Sequence, residues 1–358
     1  MASVTLRGLA KTYDPGGTQA VADVSLDVRD GEFFVLLGPS GCGKTTVLRC
    51  IAGLESPSAG EILIGDRDVT QLSPGDRDVA MVFQSHALYP HLSVRGNIAF
   101  GLEVRGVAAA EIARRVEQAA HRLGITATLE RRPGALSGGE RQRVALARAI
   151  VREPRVFLYD EPLAHLDPTQ RGELRAELLA LHRALGVTVV YVTHDQVEAM
   201  TMGQRIAVLA AGRLRQLGSP AEVYGQPADV FVARFIGNPG MNVLKGRGRG
   251  TGRGGGGGVV DCGAWSIAVP LEHYEGEIHL GVRPEHVRVC APDQGTVTAE
   301  VRVVEPLGAD TLIHLDTGGQ RVIARVAGFP DFRPGDQVGV TLDQKHLHLF
   351  DAGGARLG

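Results

Sequence analysis

Residues 31–53, GEFFVLLGPSGCGKTTVLRCIAG, limit what this chain can become more than any other stretch. The apolar run from Phe33 to Leu37 predicts a buried strand. Gly38, Pro39, Ser40, Gly41, Cys42, Gly43, Lys44 and Thr45 follow, and a helical pattern runs on from Thr46 to Ala52. This is G-x-x-x-x-G-K-[ST] between a strand and a helix, the setting that the motif requires. Glycines let backbone N–H groups turn inward around a phosphate with no Cβ in the way. The helix start adds the positive end of its dipole. Lys44 would then lie against the β- and γ-phosphates, and Thr45 would place its hydroxyl on Mg²⁺. A glycine-rich turn that binds nothing is the other reading, but all three fixed residue types stand in register.

Further candidates fall at the ends of predicted strands, where open α/β sheets bind ligands. The stretch 78–83 reads as a strand ending at Gln84, and 155–160 as a buried strand ending in Asp160 and Glu161. In a phosphate-loop protein Asp160 would hold the Mg²⁺ shell, and Glu161 would polarise an attacking water. VTVVYV ends in Thr193, His194 and Asp195, which points His194 toward the γ-phosphate. Tyr13 precedes the loop; it is either a strand residue or a face that stacks on a base, and spacing alone leaves both open.

Between these strands the pattern turns helical. Ile112, Val116, Ala119 and Leu123 share one face, and Val144, Ala147 and Val151 form a second stripe that stops at Pro154. Ser137 with Glu140 three residues on reads as a capping box; the same geometry presents a helix N-terminus to an anion. Leu166-Asp167-Pro168 leads into a helix predicted from about Thr169 to Leu185.

Strand–helix alternation ends near residue 225. The segment 231–242, FVARFIGNPGMN, reads as a hinge, and 245–258, KGRGRGTGRGGGGG, as a mobile basic hairpin loop rather than an RNA-binding segment. Short alternating strands follow to the end, the pattern of a small β-barrel.

Composition bounds the rest. A chain of 358 residues predicts about two domains. Its 38 Lys and Arg nearly balance 40 Asp and Glu, so binding to nucleic acid by bulk charge is not expected. The four cysteines show no metal-ligand spacing, which points to a reducing compartment. Cys42 lies within the phosphate loop, where alkylation would block the site, and otherwise reads as a small filler. The N-terminus lacks a signal-peptide pattern and no run reaches membrane-span length, so a soluble intracellular protein is expected.

Together these segments resemble the ATP-binding subunit of ABC transporters. Leu136-Ser137-Gly138-Gly139-Glu140 is similar to the LSGGQ signature, 38–45 to Walker A, and 156–161 to Walker B. Gln84 resembles the Q-loop, Leu166-Asp167 the D-loop, and His194 the switch histidine. FQSHALYPHLSV, YVTHDQVEAMT, FIGNPGMN, GVRPEHV and VEPLGADT extend the likeness to importer ATPases of the maltose/glycerol-phosphate type. The resemblance implies an α/β P-loop NTPase core at 1–235 with a helical subdomain at about 87–153. An OB-like TOBE barrel at 236–358 would follow.

It further implies ATP and Mg²⁺, with Thr45, Gln84 and Asp160 around the metal, Tyr13 on adenine, and Thr46 in the nucleotide site. Glu161 would be the base, with His194 and Gln84 at the reacting phosphate. Ser137, Gly138, Gly139, Glu140 and Asp167 would close over the nucleotide of a second copy, packed head to tail. Two membrane permease subunits and an extracytoplasmic solute-binding protein would complete a bacterial-type importer, with this chain at the cytoplasmic face. Sugar or glycerol-phosphate is the implied solute class. Polyamine and ferric-iron importers share the layout, and a soluble non-transport ABC ATPase is a further class. Three positions depart from the pattern. Glu140 replaces glutamine, which does not read as inactivating, but its carboxylate would weaken closure over a partner's nucleotide unless Arg141 or Arg143 offsets it. His165 stands for asparagine, and Tyr159 for an apolar residue.

Overall fold

The computed structural model describes residues 2–13, 16–83, 88–164, 166–250, 257–270 and 274–357. Gln84 and His165 lie outside the described residues. The chain divides into two compact units, Met1–Pro220 and Ala221–Gly358.

In the first unit the chain opens with β1 (Val4–Thr12), β2 (Gln19–Val28) and β3 (Phe33–Leu37), followed by α1 (Lys44–Ala52). A hairpin, β4 (Ala59–Ile64) and β5 (Arg67–Asp68), precedes β6 (Val79–Val82). Three helices come next: α2 (Val94–Glu103), α3 (Ala109–Arg122) and α4 (Gly138–Ile150). Then β7 (Val156–Asp160), α5 (Pro168–Leu185), β8 (Thr188–Thr193), α6 (Gln196–Met202), β9 (Arg205–Ala210) and β10 (Arg213–Gly218) complete the unit.

The strands form two sheets. β10-β9-β3-β8-β7-β6 is parallel except for β10, and β2-β1-β4-β5 is antiparallel. β3, β7 and β8 are buried along their whole length, which is why they read as continuous apolar runs. Val47, Leu48 and Ile51 of α1 join Leu6, Val24, Leu36 and Val192 in one core, so this helix packs with residues of both sheets. The expected apolar face of α3 is present: Val116, Ala119 and Leu123 are buried.

The second unit starts with two short helices, α7 (Pro220–Gly225) and α8 (Val230–Phe235). β11 (Asn242–Gly250), β12 (Gly258–Cys262), β13 (Trp265–Val269), β14 (Glu275–Val282) and β15 (Val287–Cys290) follow. β16 (Val297–Pro306), β17 (Asp310–Asp316), β18 (Arg321–Ala327), β19 (Gln337–Leu342) and β20 (Leu347–Asp351) end the chain. They make two five-stranded antiparallel sheets, β13-β12-β11-β14-β20 and β15-β19-β16-β17-β18, over one apolar core.

Two expectations change here. The first five residues of the supposed hinge, 231–235, belong to α8, capped by Asp229. Lys245–Gly250 is strand, not loop: β11 pairs with both β12 and β14. Arg247 and Arg249 point to solvent while Gly246 and Gly248 face inward. A Cβ on Gly246 would lie 2.3 Å from Cys262 Sγ and 2.5 Å from the Asp261 carbonyl. The Gly-Arg alternation is a strand's period of two, with glycine where a neighbour leaves no room. Of the rest of the predicted loop, Gly258 starts β12, and 251–256 lie outside the described residues.

Candidate active site

The loop 38–43 joins the C-terminal end of β3 to α1. Gly43 holds φ 102°, and a Cβ there would meet the Ala20 carbonyl at 2.3 Å. One at Gly38 would meet the Leu209 carbonyl at 2.3 Å. The loop is thus clamped against two strands by contacts that only glycine permits. No side chain caps α1, so its first-turn N–H groups stay available to an anion. Lys44 is buried, and its ammonium donates to the carbonyls of Gly38 at 2.8 Å and Pro39 at 3.0 Å. Cys42 is buried beside it, and burial pushes its thiol above the ordinary value. Thr46 is 3.4 Å from the Tyr13 hydroxyl, whose ring is 41% exposed with Lys11 Nζ over it at 5.1 Å.

Sheet register brings the carboxylates to this loop. Leu37 pairs with Thr193, and Asp160 pairs with Val192, so β3, β7 and β8 end at one edge. Thr45 Oγ1 donates to Asp160 Oδ1 at 2.8 Å. Burial raises the Asp160 pKa; the Thr45 bond opposes this and neighbouring Glu161 adds to it. A carboxylate with a hydroxyl beside it is a hard-oxygen donor set, which fits a divalent cation such as Mg²⁺.

Glu161 takes φ 45°, a left-handed conformation that is uncommon for a residue other than glycine, as its N–H donates to Val192 O at 3.0 Å. Such strain concentrates where a side chain must be aimed. Here it sets Glu161 Oε2 3.0 Å from His194 Nδ1. Glu161 is mostly buried and His194 half-exposed, so the pair has one dry and one open side.

The turn before α4 is elsewhere. Ser137 Oγ accepts from Glu140 N at 3.2 Å, and Ser137 N donates to Glu140 Oε2 at 2.7 Å, a complete capping box. Ser137's bonds hold the Glu140 carboxyl below the usual range. Of the two arginines that would offset this charge, Arg141 donates to Leu136 O, and Arg143 pairs with Glu177 at 2.7 Å and acts on Glu140 only as a lesser cause. Gly138 and Gly139 face Leu166 and Gln170 of their own chain. Among the described residues, no hydrogen bond joins 137–140 to 38–46. Asp167 is the N-cap of α5, its Oδ1 accepting from Thr169 and Gln170. Tyr159 is buried and stacked on Phe157, and burial raises its hydroxyl pKa.

Comparison with known proteins agrees with this geometry. The family description "ABC transporter" matches residues 21–164, and "TOBE domain" matches 280–350. The sn-glycerol-3-phosphate import ATP-binding protein UgpC of Cupriavidus necator is 50% identical over 98% of this chain and 97% of its own length. The chain belongs to the ABC transporter family. Other ABC relatives include the trehalose/maltose import ATP-binding protein MalK of Thermococcus litoralis, 49% identical, and the sulfoquinovosyl glycerol transport ATP-binding protein SmoE of Agrobacterium fabrum, 48% identical; each match covers 98% of both chains. Among solved ABC structures, cbiO1 from Clostridium perfringens aligns with TM-score 0.57 at 30% identity, over 62% of this chain and 89% of its own. The cassette MJ0796, a dimer in a post-hydrolysis state with ADP and Pi, aligns with TM-score 0.56 at 31% identity, over 61% of this chain and 98% of its own. This ABC chain is therefore an ATPase whose nucleotide is ATP. None of its described helices is long and apolar enough to cross a membrane.

Sequence reasoning missed the support behind His194. Glu198, buried on α6, accepts from Tyr191 at 2.9 Å and Thr193 at 2.7 Å. Arg171 donates to Leu166 O at 3.1 Å and pairs with Asp195 at 3.2 Å, tying the loop before α5 to the one that carries His194. Glutamate and arginine at helical positions read as solvated faces, and nothing in their spacing marked them.

Proposed function

We propose that this ATPase powers import of a sugar or glycerol-phosphate-type solute through two separate membrane permease subunits, working as a head-to-tail pair at the cytoplasmic face. An extracytoplasmic solute-binding protein would deliver the solute. The observation that carries the reading is the alignment of nearly the whole chain, both units included, with import ATP-binding proteins for glycerol-3-phosphate and trehalose/maltose.

The residues divide the work. Tyr13 offers its open face to adenine. Lys44 exchanges the Gly38 and Pro39 carbonyls for phosphate oxygens, and the N–H groups of 38–46 surround them. Thr45 and Asp160, with Gln84, would hold Mg²⁺; when bound it neutralises phosphate charge. Glu161 accepts the proton of the attacking water, and its bond to His194 keeps both side chains aimed at the γ-phosphate. The free end of α4 supports the two-copy reading. Ser137 and Glu140 bond to each other rather than to the phosphate loop, so the turn 137–140 is available to a second copy, where Asp167 would join it. The Glu140 carboxylate bends back onto Ser137 N–H, which limits its repulsion of a partner's nucleotide. Closure of the pair on ATP and reopening after hydrolysis would transmit motion to the permeases.

The test is uptake in bacteria that lack their own glycerol-3-phosphate import ATPase but keep its permeases and binding protein. Expression of this chain should restore entry of labelled glycerol-3-phosphate, and Glu161→Gln should not. Failure there and in a matched maltose strain, with rescue of a putrescine importer instead, would overturn the solute class.

A further inference from the structure

We propose that the second unit carries a transition-metal site of the zinc class, built from His286, Asp343 and His346. Their ligating atoms all lie within 4.8 Å of one another. The two imidazoles are stacked with centroids 3.8 Å apart and planes 6° from parallel, and His346 Nδ1 lies 2.9 Å from Asp343 Oδ2.

The scaffold explains the meeting. Two stretches follow the same plan: GVRPEHVRV at 281–289 and TLDQKHLHL at 341–349. Each makes a one-turn 3-10 helix, Pro284–His286 or Gln344–His346, that ends in histidine and runs into a strand. Those strands, β15 and β20, are edge strands of the unit's two different sheets. Asp343 N–H donates to His286 O at 3.0 Å, and Asp343 Oδ1 caps the second turn through Lys345 N at 3.1 Å. His286 and Asp343, 57 positions apart, are thus held together by a main-chain bond beside the β15–β19 pairing, whether or not a metal is present.

Two imidazole nitrogens and a carboxylate oxygen come together within 4.8 Å, and imidazole nitrogen is a common ligand of divalent transition metals. Glu285 and Asp343 draw a cation in, and Arg283 opposes it, though its guanidinium is held by the carbonyls of Tyr224 and Ile236. Two imidazoles and a carboxylate suit Zn²⁺, Co²⁺ or Ni²⁺, with water as a fourth ligand. Metal–nitrogen bonds of about 2.0–2.1 Å require the donors to close further. The His346 and Asp343 side chains, 49% and 46% exposed, have room to rotate. The site opens on a groove of about 510 Å³ lined by Glu285, Arg288 and Thr341, which gives ions access. A bound ion would fasten β15 to β20 and so join the two sheets at their edge.

The test uses the full chain, stripped with chelator and free of nucleotide. Zn²⁺ is titrated against a chromophoric zinc indicator, and Co²⁺ is followed by its visible absorption. One ion per chain is expected, with tetrahedral Co²⁺ bands and a melting temperature raised by Zn²⁺. His346→Ala and Asp343→Asn should each weaken binding by about tenfold or more and abolish the thermal shift, while ATP hydrolysis stays unchanged. Cys290→Ser, removing the one partly exposed thiol among the described residues, should leave binding intact. Absence of binding would overturn the site. So would binding that survives the His346→Ala/Asp343→Asn double variant, since the ion would then sit elsewhere.

Discussion

Replacing Glu161 by Gln isolates one atom's chemistry in this site. Gln has the same length, keeps an oxygen for the His194 contact at 3.0 Å, and meets the same backbone demand at φ 45°. Nothing that would hold ATP changes: Lys44, the 38–43 loop and the Thr45–Asp160 bond are untouched. The amide cannot accept the proton of an attacking water. A positioned general base contributes about 10²–10⁴-fold, or about 3–5 kcal/mol of barrier at roughly 1.4 kcal/mol per decade. Phosphate release at saturating ATP should therefore fall by that factor. Binding of a fluorescent ATP analogue should stay within about threefold, about 0.7 kcal/mol at most. Because ATP persists, the variant should also collect as a dimer on size exclusion when ATP is present. Turnover within a few-fold of the native chain would refute the base assignment. Loss of ATP binding would refute the claim that Glu161 acts only on the chemical step.

Other perturbations test the supporting structure. Arg171→Ala removes the tie between Leu166 O and Asp195, each bond worth about 1 kcal/mol net; kcat should fall about tenfold with KM for ATP little changed, and a matched rise in KM would contradict a positioning role. Gly246→Ala forces a Cβ to 2.3 Å from Cys262 Sγ and should cost the second unit about 1–3 kcal/mol in urea unfolding; a neutral result would mean that β11 can shift. Burial, with repulsion from Arg356, Arg283, His286 and His346, holds His348 down at about 4 against an ordinary 6.5. The unfolded chain takes this proton first as pH falls below 6.5, so stability is full above that value and drains toward 4. Melting curves across that window should slope less for His348→Gln, and an unchanged slope would reject the assignment.

Legibility followed the range of the constraint. The phosphate loop could be read because its demands are local and stereochemical: Gly38 and Gly43 stand where a Cβ would strike a carbonyl. β3, β7 and β8 could be read because strands buried on both faces lose polar alternation. Asp160, Glu161 and His194 converge because parallel strands share one C-terminal edge, a rule of topology that spacing along the chain already implies. The misreading at 245–250 came from weighing glycine content above its period, although Gly-Arg-Gly-Arg alternates as a strand does. The Glu198 and Arg171 contacts and the His286–His346 stack stayed hidden for another reason. Their partners meet only through tertiary packing, and each residue alone looks like an ordinary surface group.

The central claim is that each ATP site is shared between two copies. Mixing two defective chains tests it most directly: Lys44→Ala, which spoils the phosphate loop, and Ser137→Arg, which spoils the end of α4. Each alone should be inactive. In a head-to-tail pair of one of each, both defects fall in one site and the other site is intact. Equal mixing should therefore recover ATP hydrolysis toward about a quarter of the native rate, the share of intact sites in a random two-fold assembly. Activity no greater than the sum of the two parents would contradict the shared site.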